Sequence, residues 1–120
     1  MKIPGISFLK TKKLIVTHDG GFHADDVFAA ATLSLYFEKI DQPFIIRRSR
    51  ESEDIEKADI VFDIGMAYDP EQGKFDHHQK GGAGERENGV PYAAFGLIWK
   101  HYGMGLVENK SIWQRVDDQL

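Results

Sequence analysis

Lys13-Leu14-Ile15-Val16-Thr17-His18-Asp19-Gly20-Gly21-Phe22-His23-Ala24-Asp25-Asp26 is the stretch that decides the fold class. Its first five residues form a short apolar, β-branched run that predicts a buried strand, and Asp19-Gly20-Gly21 supplies the turn that ends it. Strong helix formers follow from Ala24 to about Ile40, and Val27 to Phe37 is apolar on nearly every side. That pattern predicts a helix packed on a sheet and covered on its other face too, with Pro43 closing the element. Phe44-Ile45-Ile46-Arg47-Arg48 predicts a second strand, Glu51 to Ala58 a short acidic helix, and Asp59-Ile60-Val61-Phe62-Asp63-Ile64-Gly65 a third strand suited to a parallel, doubly covered position. The β-α-β-α-β order predicts an α/β fold, a parallel sheet flanked by helices, in which ligands bind outside the C-terminal ends of the strands. His18 and Asp63 both fall at such ends.

Downstream, Asp69-Pro70-Glu71-Gln72-Gly73 is a turn signal between two short extended pieces, so Met66 to Phe75 predicts a small hairpin that delivers Asp76-His77-His78. A polar, glycine-rich loop spans Gln79 to Gly89. Within it Gly81 to Arg86 has the flexibility of a phosphate cradle and one guanidinium to assist, but it matches no nucleotide fingerprint and is expected to be a plain loop. Pro91 is expected to start a helix through His101, with Ala94, Leu97, Ile98 and Trp99 as its apolar side and Gly103 and Gly105 as stop signals. Ile112 to Leu120 predicts a last helix. Trp99, Trp113 and Phe95 read as core rather than stacking platforms, and His101, beside Lys100, as a solvated side chain.

A chain of 120 residues, 42% hydrophobic, is sized for one domain over 1–120. The absence of cysteine excludes disulfides, thiolate zinc sites and cysteine nucleophiles, and fits a reducing, cytoplasmic setting. Lys2, Lys10, Lys12 and Lys13 flank only the short apolar patch Ile6 to Leu9, less than a signal peptide or membrane span requires. A net charge of -4 argues against sequence-independent, electrostatic grip on nucleic acid. It leaves phosphate substrates open, because two bound divalent cations would add four positive charges among the carboxylates.

Four of the five histidines, His18, His23, His77 and His78, stand among aspartates Asp25, Asp63 and Asp76. Imidazole nitrogen mixed with carboxylate oxygen suits Mn²⁺, Fe²⁺, Co²⁺ or Zn²⁺, whereas an all-oxygen set would point to Mg²⁺ or Ca²⁺. Metal-assisted hydrolysis is the expected chemistry. Each part has a plainer reading: Asp25 or Asp26 as charges favoured at a helix N-terminus, Asp63 as a strand-end surface residue. Adjacent histidines on an extended segment point to different sides, so one of His77 and His78 is expected to bind metal and the other to meet substrate.

Thr17 to Asp26, Val61-Phe62-Asp63-Ile64-Gly65, Phe75-Asp76-His77-His78-Gln79 and Pro91 to Gly103 together resemble the motifs of the DHH phosphoesterase superfamily, and more closely those of the melanocyte-proliferating-gene protein family. The resemblance spans most of residues 13 to 105. It implies a DHH-like N-terminal catalytic domain with two divalent ions, Mn²⁺ by expectation, acting as an exonuclease on single-stranded nucleic acid or oligonucleotides. A small-molecule phosphatase or pyrophosphatase, or a silent metal-binding module, are the alternatives. It further implies His18, His23 and Asp25 as ligands, Asp63 as the carboxylate bridging both metals, His77 as a ligand to the second, His78 as a phosphate contact and Asp76 as the group orienting the histidine pair. Most of the superfamily carries aspartate where His23 stands. The superfamily also has a further metal-binding aspartate, for which Asp117 or Asp118 is the candidate, and a C-terminal substrate domain, so residues 1–120 are expected to be the N-terminal part of a longer two-domain protein.

Overall fold

The computed structural model describes residues 11–119, so the patch Ile6 to Leu9, Lys2, Lys10 and Leu120 lie outside it. Strand β1 (Lys13–Thr17) is followed by helix α1 (Ala24–Lys39), β2 (Phe44–Arg48), α2 (Ser52–Lys57) and β3 (Ile60–Phe62). Next come the short β4 (Tyr68–Asp69), a 3₁₀ turn (Pro70–Gln72), β5 (Lys74–Phe75), α3 (Ala94–Val107) and α4 (Lys110–Asp117). The sheet runs in the order β2-β1-β3-β5-β4, parallel except for the β4–β5 pair. This is the α/β architecture expected, a mostly parallel sheet flanked by helices.

Strand alternation divides the core. Ile15, Ile60, Phe62 and Phe75 join Ala29, Leu33 and Phe37 of α1 and Ala94, Leu97, Ile98 and Trp99 of α3 in one buried cluster. Val16 and Val61, one step along their strands, are buried outside that cluster. The register then fixes the site. Thr17 pairs with Arg48, Val16 with Val61, and Phe62 with Phe75, so His18, Asp63 and Asp76 leave their strands at one edge of the sheet. Two bonds lock this edge: Thr17 Oγ1 donates to Phe62 O at 2.8 Å and Asp63 N to Phe75 O at 3.0 Å.

Several expectations are corrected. The third strand ends at Phe62 rather than Gly65 because Asp63 turns into the left-handed region at φ 58°. Helix α1 is stopped by Asp41, not Pro43: Asp41 sits at φ 55°, and Asp41 N to Glu38 O with Gln42 N to Phe37 O close a Schellman-type end. Nor is α1 covered all round, since Val27, Phe28 and Leu35 are about half exposed. Helix α3 begins at Ala94 and runs through Gly103 and Gly105 to Val107. These glycines are notches rather than stops. A Cβ at Gly103 would lie 2.5 Å from the Trp99 ring, and one at Gly105 2.7 Å from Tyr36.

The Trp99 ring cannot retreat freely. Its Nε1 donates to Trp113 O and Trp113 Nε1 donates to Trp99 O, both at 3.0 Å, tying α3 to α4. Arg86, the guanidinium of the glycine-rich loop, is likewise structural. It forks onto Asp117 at 3.0 and 3.1 Å and lies over Tyr92 at 4.4 Å. Asp117 is thereby spent, and Asp118 accepts from Gln114. Among the described residues no helix is long and apolar enough to cross a membrane.

Gly103→Ala should therefore destabilise the fold although alanine is the better helix former. Overpacking typically costs about 1–3 kcal/mol against a propensity gain of about 1 kcal/mol. Urea denaturation should show a net loss, whereas a gain would mean that the notch has slack.

Candidate metal centre

Asp63 organises the site by offering each carboxylate oxygen to a different group. Its Oδ2 lies 3.3 Å from His18 Nε2, and its Oδ1 lies 2.9 Å from His77 Nε2 and 3.6 Å from His78 Nδ1. Two sets of side chains can therefore each hold a metal ion: His18, Asp26 and Asp63, and Asp63, Asp76, His77 and His78, the ligand atoms within each set lying within 4.8 Å of one another. Asp63 belongs to both.

The first set comes from β1 and the first turn of α1. His18 is 7% exposed and its Nε2 lies 3.0 Å from Asp26 Oδ2. Asp26 is wholly buried; Oδ2 also accepts from His23 N at 3.1 Å, while Oδ1 has no hydrogen-bond partner among the described residues. A buried carboxylate oxygen without a partner is expensive unless something cationic meets it. His23, the N-cap of α1, places Nδ1 3.7 Å from Asp26 and is otherwise exposed. Asp25 faces the other way, with Oδ1 accepting from Phe95 N at 2.8 Å. It caps α3, whose own N-cap, Ala93, has no side-chain oxygen to do so.

The second set hangs on Asp76, which is 1% exposed. Oδ2 accepts from Met66 N at 2.7 Å, and Oδ1 accepts from His77 N at 2.8 Å and meets His78 Nδ1 at 2.6 Å. These bonds bend the chain past the end of β5. As a result the His77 and His78 rings lie 4.3 Å apart, both beside Asp63, rather than on opposite sides of an extended segment. His101 lies elsewhere, its Nε2 2.6 Å from the Tyr68 hydroxyl.

Charge is the dominant fact here. Burial, and then Asp26, Asp25 and Asp76, push the Asp63 carboxyl up to about 8. For Asp26 and Asp76 burial also acts upward, but hydrogen bonds outweigh it and hold both below the ordinary carboxylate range: Asp63, His23 N and His18 for Asp26, and Met66 N, His78 and His77 N for Asp76. Without a cation, the cluster accommodates its charges by keeping a proton on Asp63.

A cavity of about 430 Å³ opens over these groups and is also lined by Gly20, Gly21 and Arg50. A larger one, about 620 Å³ and mostly apolar, lies among Phe28, Val90, Pro91, Phe95 and Val116, with Asp25 in its wall, and shares no lining residue with the first. Sequence reading left Asp26 as a capping group and did not place Arg50. The acidic residue three positions after the N-cap His23 was the signal for Asp26; for Arg50 there was none.

The family model described as Uncharacterised protein family (UPF0160) matches residues 14–120. The chain is 37% identical over 98 residues to the MYG1 protein of Dictyostelium discoideum, covering 80% of this chain and 29% of that protein. It is 39% identical over 101 residues to a MYG1 protein of Saccharomyces cerevisiae, covering 82% and 29%, and 36% identical over 100 residues to the MYG1 exonuclease of Homo sapiens, covering 78% and 26%. It thus spans less than a third of the length of these curated relatives. No solved structure matches significantly.

Asp63 carries the pH dependence. Its folded-state pKa lies above the ordinary 3.8, at about 8, so the folded protein holds the extra proton in that window and stability falls as pH rises through it. Asp26 and Asp76 are ionised across the upper part of the window and add no slope there. Urea titrations of metal-free protein between about pH 5 and 9 should show this decline, and Asp63→Asn should flatten it. An unchanged slope would remove Asp63 as its source.

Proposed function

The chain belongs to the family described as Uncharacterised protein family (UPF0160), and on that premise we propose that its site is a two-metal phosphodiesterase centre of the DHH type, acting as an exonuclease on single-stranded nucleic acid or oligonucleotides. The observation that carries this reading is the double engagement of Asp63, one oxygen toward His18 and the other toward His77. The donor set fits divalent ions: carboxylate and imidazole converge, Asp26 Oδ1 is buried without a hydrogen-bond partner among the described residues, and Asp63 keeps a proton that a cation would displace. Mixed nitrogen and oxygen donors suit Mn²⁺, and a relative named MYG1 exonuclease supports a nucleic-acid substrate.

When bound, the ions would offset charge on the phosphoryl oxygens and lower the pKa of an attacking water. The chain's own groups do the rest. Asp63 bridges the two positions, and His18 with Asp26 forms one side, with His23 at its rim. His77 holds the other. Asp76 fixes the histidine pair through its bonds to both backbone amides and to His78 Nδ1. With Nδ1 so occupied, His78 presents Nε2 to solvent, where it meets a phosphoryl oxygen. Asp25, a ligand by resemblance, has one oxygen on α3 and would ligate through the other. The relatives are more than three times as long as the matched part, which leaves room for a second, substrate-gripping domain beside the catalytic one that residues 1–120 would form.

Asp63→Asn should abolish paired metal binding, seen as lost Mn²⁺ stoichiometry with the fold's circular dichroism retained; full stoichiometry would end the bridging role. His77→Ala should lose metal, whereas His78→Ala should keep it and lower kcat by roughly 10²–10³-fold on an oligonucleotide, as expected for a group that stabilises developing charge. Equal metal loss in both would refute that division. Asp26→Asn should weaken Mn²⁺ more than Asp25→Asn does, and the reverse order would return the ligand role to Asp25.

A further inference from the structure

The metal cavity has one cationic arm with unspent donors. Arg50, just past the end of β2, is the only lysine or arginine among the described residues lining it, which also include Asp63 and His78. Its Nε donates to Asp19 Oδ1 at 2.8 Å, and its two terminal amino groups make no hydrogen bond to the described residues. The other guanidiniums nearby are committed. Arg48 donates to His18 O and Gly20 O and lies over Phe22 at 4.5 Å, and Arg47 binds Asp54 at 3.1 Å. Gly20 keeps the space between Arg50 and the site open: the point its Cβ would occupy is 3.3 Å from both Arg50 Nη2 and His18 Nδ1.

The Arg50–Asp19 pair is poorly explained as a prop for the fold. Its side chains are 61% and 57% exposed, and pairs so open to water contribute little to stability. A guanidinium tethered at Nε with its remaining donors turned to a cavity is instead suited to an oxyanion, since its planar fork matches phosphate geometry. The remaining described lining is carboxylate, imidazole and glycine or apolar, so among the described residues a diester approaching the metals meets no other fixed positive side chain.

We propose that Arg50 is the phosphate-binding arm of this cavity, its terminal amino groups taking a non-bridging oxygen of a phosphoryl group seated in the cavity in front of Asp63 and His78, with Asp19 as the positioning residue that aims the guanidinium. The assignment rests on the two-metal reading above. It extends that reading from the metals to the substrate's charge, and it makes a loop carboxylate, Asp19, part of substrate recognition.

The test is inorganic phosphate binding to Mn²⁺-loaded protein, followed by ³¹P relaxation, beside metal content and urea stability. Arg50→Ala should weaken phosphate by about tenfold or more, the scale of a lost charge-assisted pair, with metal content and unfolding midpoint unchanged. Arg50→Lys should recover part of the loss, because it restores charge but not the fork. Asp19→Ala should weaken phosphate by a smaller factor and add nothing in the Arg50→Ala background; additive losses would overturn the positioning role. On an oligonucleotide, Arg50→Ala should raise KM more than it lowers kcat. Equal phosphate affinity in wild type and Arg50→Ala, both fully metal-loaded, overturns the arginine's role and leaves the metal reading standing. Wild-type protein that takes up no Mn²⁺ overturns both.

Discussion

Mutual repulsion among Asp26, Asp63 and Asp76, gathered where three elements meet, is the constraint on which the structure turns. Two of the three are almost wholly shielded from water, and like charges brought together in such surroundings cannot all ionise without compensation. The protein answers in two ways. Asp76 is satisfied by backbone N–H groups of Met66, His77 and His78 and stays charged. Asp63, lacking such a set, holds a proton. That inequality separates the structural carboxylate from the one suited to exchanging its proton for a metal.

The scaffold keeps the three together against that repulsion. Parallel register sets His18, Asp63 and Asp76 at one edge, and the left-handed turn at Asp63, a conformation aspartate tolerates better than most residues, aims its carboxylate across β1 and β5. Helix α1 contributes its N-terminus, where partial positive charge favours Asp25 and Asp26. The two adjacent carboxylates are divided between tasks by helical geometry: one hundred degrees of rotation per residue sends Asp26 to the site and Asp25 to the start of α3. The capping of α3 and the position of Asp26 beside His18 and Asp63 are therefore coupled through a single turn of helix.

Much of this was legible in the chain. β-branched runs mark β1 and β2 to the residue, and the β-α-β-α-β order alone puts His18 and Asp63 at one edge of the sheet. What escaped depends on tertiary packing. Gly103 and Gly105 read as helix stops because their local preference is clear, while the reason they are tolerated is packing: the Trp99 ring, one turn back in α3 and held by Trp113 of α4, covers Gly103, and Tyr36 of α1 covers Gly105. The opposed directions assigned to His77 and His78 assumed an extended chain, and the bonds of Asp76 to its own neighbours bend it. Period arguments hold only where the backbone is regular.

Arg50 illustrates the deeper limit. Sequence gives a charge run, Arg47-Arg48-Ser49-Arg50, with nothing to rank its members. The sheet edge ranks them. Arg47 is drawn to Asp54 of α2, Arg48 is consumed by the carbonyls of the loop after β1, and Arg50, beyond the last paired residue of β2, is the one whose donors remain for the cavity. Its tether Asp19 and its neighbour His18 belong to the same turn, so the loop that carries His18 also sets the direction of the arginine. A shift of that turn would move both at once, and Gly20, whose Cβ would lie 3.3 Å from both Arg50 Nη2 and His18 Nδ1, is the point at which the two side chains are kept in step.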